Sequence, residues 1–255
     1  RGAMPSIAWL LVALLAALLV SQNGELDMSP MACSSPALVQ FYDVAAFFSR
    51  HFLGLDAFSA CDGEFFGRMQ DACNISAEST VLELGFGAGF VAQQLLEHVG
   101  VKRYDGVELS EGMLNLTALR VGGQSFRRMG LHHSMKPVDL IRESEALRSY
   151  SHVLALFVLD TLSATDVDRA VEALLGRMKG GGTLCVAALA DRPEFTLVRL
   201  YKTLWRTVPV LLGGRRPISL RDFFDQQLWT EVTGWVDHRS WLPVEALVLR
   251  SSGAA

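Results

Sequence analysis

One stretch constrains the fold of this chain more than any other: "VLELGFGAGF", residues 81 to 90. A short apolar run carries an acid, Glu83, and passes into glycines at alternate positions, Gly85, Gly87 and Gly89, ahead of a helix-compatible segment from Phe90 to Val99. A run of this kind bounded by a glycine turn reads as a strand covered on both faces. Glycine lets the backbone take positive φ and come close to a ligand without steric cost. Strand-to-helix turns at the carboxyl edge of a parallel sheet are also where α/β proteins bind ligands.

The same alternation continues along the chain. Tyr104–Leu109, His152–Val158 and Thr183–Leu189 are further short apolar runs that predict buried strands. Val167, Ala170, Val171, Leu174, Leu175 and Met178 form a helical stripe, with Ser163 and Asp166 as a capping pair and Gly180–Gly182 as the stop. Strand, helix, strand, helix predicts an α/β domain with a mainly parallel sheet. Residues 228–240 and 244–251 are strand-like runs joined by "WLP", which predicts a closing antiparallel hairpin. Ahead of the glycine loop, "FYDVAAFFSRHF" (41–52) is aromatic and helix-compatible.

Three roles suit the loop: a plain tight turn, a dinucleotide site, or a site for another adenosine cofactor. A dinucleotide fingerprint reads G-x-G-x-x-G and seats a pyrophosphate on the helix N-terminus. Here the third glycine comes one residue early, and Glu83 would repel a pyrophosphate but attract an ammonium group. A second acid, Glu108, closes the next apolar run in "YDGVELSEGML", 19 residues after Gly89. A carboxylate at that strand tip can accept both hydroxyls of an unmodified ribose. An acid for an amine and an acid for a ribose, with no phosphate required, match the parts of S-adenosylmethionine.

At this point the sequence resembles the class I S-adenosylmethionine-dependent methyltransferases. "VLELGFGAGF" is similar to their first motif, E/D-x-G-x-G-x-G, and "YDGVELSEGML" to their second. "SHVLALFVLDTL" resembles the fourth-strand region, and "LLGRMKGGGTLCVAAL" the turn before the fifth strand, without its usual proline. Residues 215–251 resemble the closing helix and hairpin, so the likeness spans about 75 to 251. It implies a Rossmann-like, seven-stranded, mainly parallel sheet with helices on both faces and the last strand inserted antiparallel. It also implies cofactor contacts from Glu83, Gly85, Gly87, Gly89, Glu108, Leu109 and Phe157; Leu109 and Met113 suit the flanks of the adenine and the core equally. The family's third-strand acid has only a loose counterpart in "FRRMGLHHSMKPVDL", where Asp139 is the candidate. Phe41, Tyr42, Phe47 and Phe48 occupy the region that covers the acceptor in the family.

Methyl transfer from a sulfonium is a displacement in which alignment does much of the work, and a base is needed only if the acceptor loses a proton. Asp160, His132, His133, His152 and His238 are the candidates for that base, each against the plain reading of a hydrogen-bonded or exposed side chain.

Composition narrows the partners. The net charge is −4 and the adjacent basic pairs are few, such as Arg127–Arg128 and Arg215–Arg216. That is not the dense basic stripe of a nucleic-acid-binding face. No N/D-P-P-Y/F motif of amino-methylating DNA enzymes occurs, so the expected acceptor is a small or lipid-like molecule. A non-catalytic subunit with the same fold is the alternative. Cys33, Cys61, Cys73 and Cys185 show no metal-ligand spacing, and no metal site is expected; Cys185 reads as a small core residue. Asn74-Ile-Ser76 and Asn115-Leu-Thr117 are glycosylation triplets.

Residues 7–20, "IAWLLVALLAALLV", are an unbroken apolar run. Membrane-spanning helices need roughly 17 to 25 residues, so this run suits a signal peptide or a short anchor. Residues 1–22 are therefore expected to target the protein to a membrane or a secretory or organellar lumen. Residues 23–36 read as a linker and 37–255 as the main domain, with 37–74 as its helical cover. Residues 195–212 mix apolar bulk with Arg199, Lys202 and Arg206, suited either to a membrane surface or to packing on the sheet.

Overall fold

A computed structural model describes residues 36–48, 63–207, 209–239 and 242–252. The expected targeting segment 1–22 and linker positions 23–35 lie outside the described residues, as do Cys33 and Cys61.

Seven strands form one sheet: β1 (Thr80–Leu84), β2 (Arg103–Glu108), β3 (Met129–His133), β4 (Tyr150–Leu156), β5 (Met178–Leu189), β6 (Trp229–Asp237) and β7 (Val244–Ser251). Their spatial order is β3-β2-β1-β4-β5-β7-β6. The first five pair in parallel, and β7 inserts antiparallel between β5 and β6. The order reverses between β1 and β4, and a crevice opens beyond the carboxyl ends of strands at such a point.

The helices are α1 (Pro36–Phe48), α2 (Gly63–Cys73), α3 (Phe90–Gln93, continued by a π-helical segment Gln94–Val99), α4 (Glu111–Arg120), α5 (Pro137–Glu143), α6 (Ala164–Leu175) and α7 (Thr196–Thr207). One face of the sheet is covered by α2, α3 and α7 through Phe65, Phe66, Leu95 and Val198. The other is covered by α5 and α6 through Ile141, Val167, Ala170 and Leu174.

Local chemistry sets several boundaries. Ser163 caps α6, its hydroxyl accepting from the Asp166 N–H at 3.2 Å. The helix stops at Leu175, with Gly176 as its cap, rather than at Gly180–Gly182. Those three glycines belong to the start of β5, where Gly180 and Gly181 are exposed, Gly182 is buried and Met178 pairs with Tyr150. Cys185 is buried in the core as expected, but it is not unpaired: it forms a disulfide with Cys73 at the end of α2. No described helix is long and apolar enough to cross a membrane.

Candidate functional site

At the β1/β4 switch point the ends of β1, β2 and β4 surround a cavity of about 160 Å³. Glu83, Gly85, Gly87, Glu108, Leu109 and Phe157 line it, so the sequence-selected residues converge except Gly89, which lies one step outside. Met113 and Arg215 join the lining, and Leu38, Phe41, Tyr42 and Ala45 of α1 complete it.

The three glycines serve different ends, although all have positive φ. A Cβ on Gly85 would meet Val158 Cγ2 at 2.7 Å, and one on Gly89 would meet Thr117 Oγ1 at 2.5 Å. Both glycines are therefore required by packing. A Cβ on Gly87 would meet nothing within 4 Å. Gly87 is the cradle: its backbone borders open space where a ligand can approach.

The loop is tied down on its far side. Thr117 Oγ1 donates to the Gly87 carbonyl at 3.0 Å and Arg120 Nε to the Ala88 carbonyl at 2.8 Å. Glu108 is buried and gathers three backbone N–H groups. Gly87 donates to Oε2 at 2.9 Å, while Leu109 and Ser110 donate to Oε1 at 2.8 and 3.0 Å. A carboxylate offers about four acceptor positions. One ribose hydroxyl can thus join Oε2 directly, whereas a second must displace the Gly87 N–H. Burial raises the Glu108 pKa, and the backbone donors oppose that rise.

Glu83 is also buried. Its carboxyl is pushed up to about 8, first by desolvation and with a contribution from Glu108, although the Tyr104 hydroxyl donates to Oε2 at 2.7 Å and works the other way. Glu83 is therefore largely protonated at neutral pH until a cation arrives beside it. Phe157, just past β4, sits at φ 60, a left-handed conformation that an aromatic residue adopts only when its surroundings enforce it. Its N–H donates to the Ala187 carbonyl at 2.7 Å.

Helix α1 is fastened over this site. Asp43 Oδ1 accepts from the Ser110 hydroxyl at 2.6 Å and the Gly112 N–H at 3.0 Å, and the Tyr42 hydroxyl donates to the Gly213 carbonyl at 3.0 Å. Phe47 points to solvent instead.

The base candidates are placed elsewhere. His132, on β3, contacts Asp105 at 3.3 Å. Burial disfavours the Asp105 carboxylate, but hydrogen bonds from His132, Arg103 and Tyr150 outweigh it and bring the pKa down to about 2. His133 donates Nε2–H to the Leu109 carbonyl at 2.9 Å and so props the strand tip from behind. His152 donates to the Cys73 carbonyl at 3.1 Å, and burial lowers its pKa. His238 is exposed against Phe195. Asp139 faces Arg142 and Arg169 on the surface. Asp160 is fully buried behind the cavity wall: Oδ2 accepts from the Leu189 N–H at 3.1 Å and lies 3.4 Å from Arg215 Nε. Among the described residues the cavity lining holds no histidine, and no cluster of metal-ligating side chains occurs.

Residues 82–184 match the family described as a methyltransferase domain. The match is to an enzyme domain, whose chemistry calls for a methyl-donating cofactor such as S-adenosylmethionine. N-methyltransferase NodS from Bradyrhizobium japonicum WM9, in complex with S-adenosyl-L-homocysteine, is similar at TM-score 0.54 and 14% identity, covering 80% of this chain and 96% of that one. Mycolic acid cyclopropane synthase CmaA1, complexed with the same product and CTAB, is similar at TM-score 0.64 and 10% identity, covering 82% and 95%. The [4+2]-cyclase SpnF is similar at TM-score 0.63 and 12% identity, covering 87% and 97%. These likenesses are of fold. No curated protein is similar at the level of sequence. The residues present fit the cofactor: Gly87 offers an open cradle, and Glu83 and Glu108 are buried acids on the same cavity.

Arg215 was visible in the sequence only as half of a basic pair. Its place on the cavity wall depends on the chain returning from α7 across the end of β4, which no local pattern encodes.

Proposed function

We propose that this methyltransferase domain acts on a small-molecule or lipid-like acceptor, at a membrane or in an oxidising lumen. The observation that carries the reading is the cavity wall opposite the acids, built from Leu38, Phe41, Tyr42, Ala45 and Phe157. An apolar enclosure of this kind suits an apolar acceptor and excludes water from the reacting centre. Glu83, Gly87, Glu108 and Leu109 would hold the cofactor, which supplies an electrophilic methyl group when bound. The chain's own work is alignment: Glu108 and the Gly87 backbone fix one end of the site, while Phe41 and Tyr42 close the other.

Three features support the placement. The apolar run 7–20 is suited to targeting. The Cys73–Cys185 disulfide fits an oxidising compartment. On α7, Val198 and Tyr201 face inward while Leu197, Leu200 and Leu204 are exposed beside Arg199 and Arg206, an arrangement suited to an anionic lipid surface.

The test is transfer of label from methyl-labelled S-adenosylmethionine into a lipid extract and a small-molecule extract, with Gly87→Val as the blank. Label in the organic phase that disappears in the variant is the expected result. Cofactor binding with no transfer to either extract would favour the non-catalytic subunit instead.

A further inference from the structure

Two adjacent arginines follow α7, and the fold treats them differently. Arg216 is committed to structure: its N–H donates to the Asp160 carbonyl at 2.8 Å, and Nε and Nη2 donate to the Leu162 carbonyl at 3.1 and 2.9 Å. Arg215 lines the cavity, with a side chain only 21% exposed. Its guanidinium lies over the Phe157 ring, 4.8 Å from the centroid. Among the described residues, Nε and Nη2 are buried without a hydrogen-bond partner, and so is Oδ1 of its counter-ion Asp160. The 3.4 Å separation of Nε from Asp160 Oδ2 balances charge but forms no well-aligned hydrogen bond.

A guanidinium is a planar fork of five donors that matches a carboxylate bidentately. Buried donors are rarely left unbonded, and those that are call for an explanation. The Phe157 ring beneath and Asp160 behind hold the fork in place at the cavity wall, with Nε turned to Asp160 and Nη2 making no hydrogen bond among the described residues. Asp160 is thus a positioning residue for Arg215.

We propose that Arg215 is the carboxylate receptor of this cavity. The inference rests on the proposed function for its two sources of carboxylate: the amino-acid head of the cofactor, whose ammonium Glu83 would take, or an acidic group on the acceptor.

Calorimetry on the full chain separates them. The first arm compares S-adenosylhomocysteine with its decarboxylated analogue, and the second compares decanoate with decanol in the absence of cofactor. Both arms use the wild type, Arg215→Gln and Arg215→Lys, with thermal unfolding run on each. A hydrogen-bonded charge pair corresponds to at least about tenfold in affinity. If the carboxylate is the cofactor's, the wild type prefers S-adenosylhomocysteine by that margin, Arg215→Gln loses the preference and Arg215→Lys keeps part of it. If it is the acceptor's, the first arm is unchanged by substitution, and the preference for decanoate over decanol disappears in Arg215→Gln. A wild type with no preference for the carboxylate in either arm overturns the proposal, even if both variants fail to fold. So does a preference that survives Arg215→Gln in both arms. Failure of the wild type to bind either adenosyl compound, with the decanoate preference intact, would instead sink the cofactor reading and leave Arg215 as the receptor.

Discussion

On the β1–β2 side of the cavity the chain's polar groups are bonded to one another: Gly87 N–H to Glu108, Thr117 to the Gly87 carbonyl and Tyr104 to Glu83. On the β4 side, Arg215 and Asp160 retain buried polar atoms with no partner among the described residues. The first wall has most of its capacity filled before a ligand arrives, so beyond the one open position on Glu108 binding there exchanges existing hydrogen bonds for new ones and nets little per bond. The second wall holds hydrogen-bonding capacity that the chain itself leaves unused. Specificity should therefore lie on the β4 side even though the recognisable motifs lie on the other.

The largest effect that sharpens this contrast is at the loop. Gly87→Val should abolish cofactor binding, because its side chain would enter the open cradle, while thermal stability falls only by the cost of a strained left-handed residue, about 1 to 2 kcal/mol. Gly85→Val should instead lose the fold, since its Cβ collides with Val158. Calorimetry and thermal unfolding on both variants check this, and a Gly87→Val chain with undiminished affinity would falsify the cradle.

The disulfide belongs to neither wall and serves as the control. It closes a loop of 112 residues, and replacing Cys73 and Cys185 by serine should cost about 2 to 4 kcal/mol in denaturant unfolding. Affinity for S-adenosylhomocysteine should stay within about twofold; a larger loss would couple the core of the sheet to the site.

Acidity comes next. The folded Glu83 carboxyl is raised from 4.5 to about 8. Between those values the folded chain holds a proton that the unfolded chain has released. Its contribution to stability is complete below about 4.5 and is lost as pH rises through 8. An ammonium beside Glu83 reverses the preference, so cofactor affinity should climb with pH between 6 and 8, by up to about tenfold per unit, with proton release. Calorimetry in buffers of different ionisation enthalpy detects that proton, and Glu83→Gln should flatten the slope. A flat slope in the wild type would move the amine away from Glu83.

Of the two buried acids, Glu108 should show the smaller effect. Its Oε2 already holds the Gly87 N–H, so Glu108→Ala should lose the net value of about one charge-assisted bond, roughly tenfold in affinity. The exposed Glu111→Ala is the comparison and should change nothing. The reverse order would show that the second motif is set in the wrong register.

The first wall was legible because its chemistry is local. Glu83, Gly85 and Gly87 lie within five residues, and Glu108 ends the next apolar run. The parallel sheet and closing hairpin were legible for the same reason: periodicity reports burial one element at a time. β3 was not, because "MGLHH" is a short edge strand, mostly only partly buried, with no continuous apolar run. Gly180–Gly182 read as a helix stop because glycine ends helices and opens strands alike. Cys73 with Cys185, and Asp160 with Arg215, are pairs far apart in sequence that only topology brings together.

The fastening of α1 has a kinetic consequence. Asp43 grips the start of α4 while Tyr42, beside it in sequence, grips Gly213 on the other rim. A molecule enclosed beneath this clasp leaves no faster than the clasp releases, and such segment openings occur in microseconds to milliseconds or slower. Residence time would then be set by two hydrogen-bonded latches on the rim of the cavity. Asp43→Ala should accelerate release of S-adenosylhomocysteine and its capture alike, leaving equilibrium affinity nearly where it was.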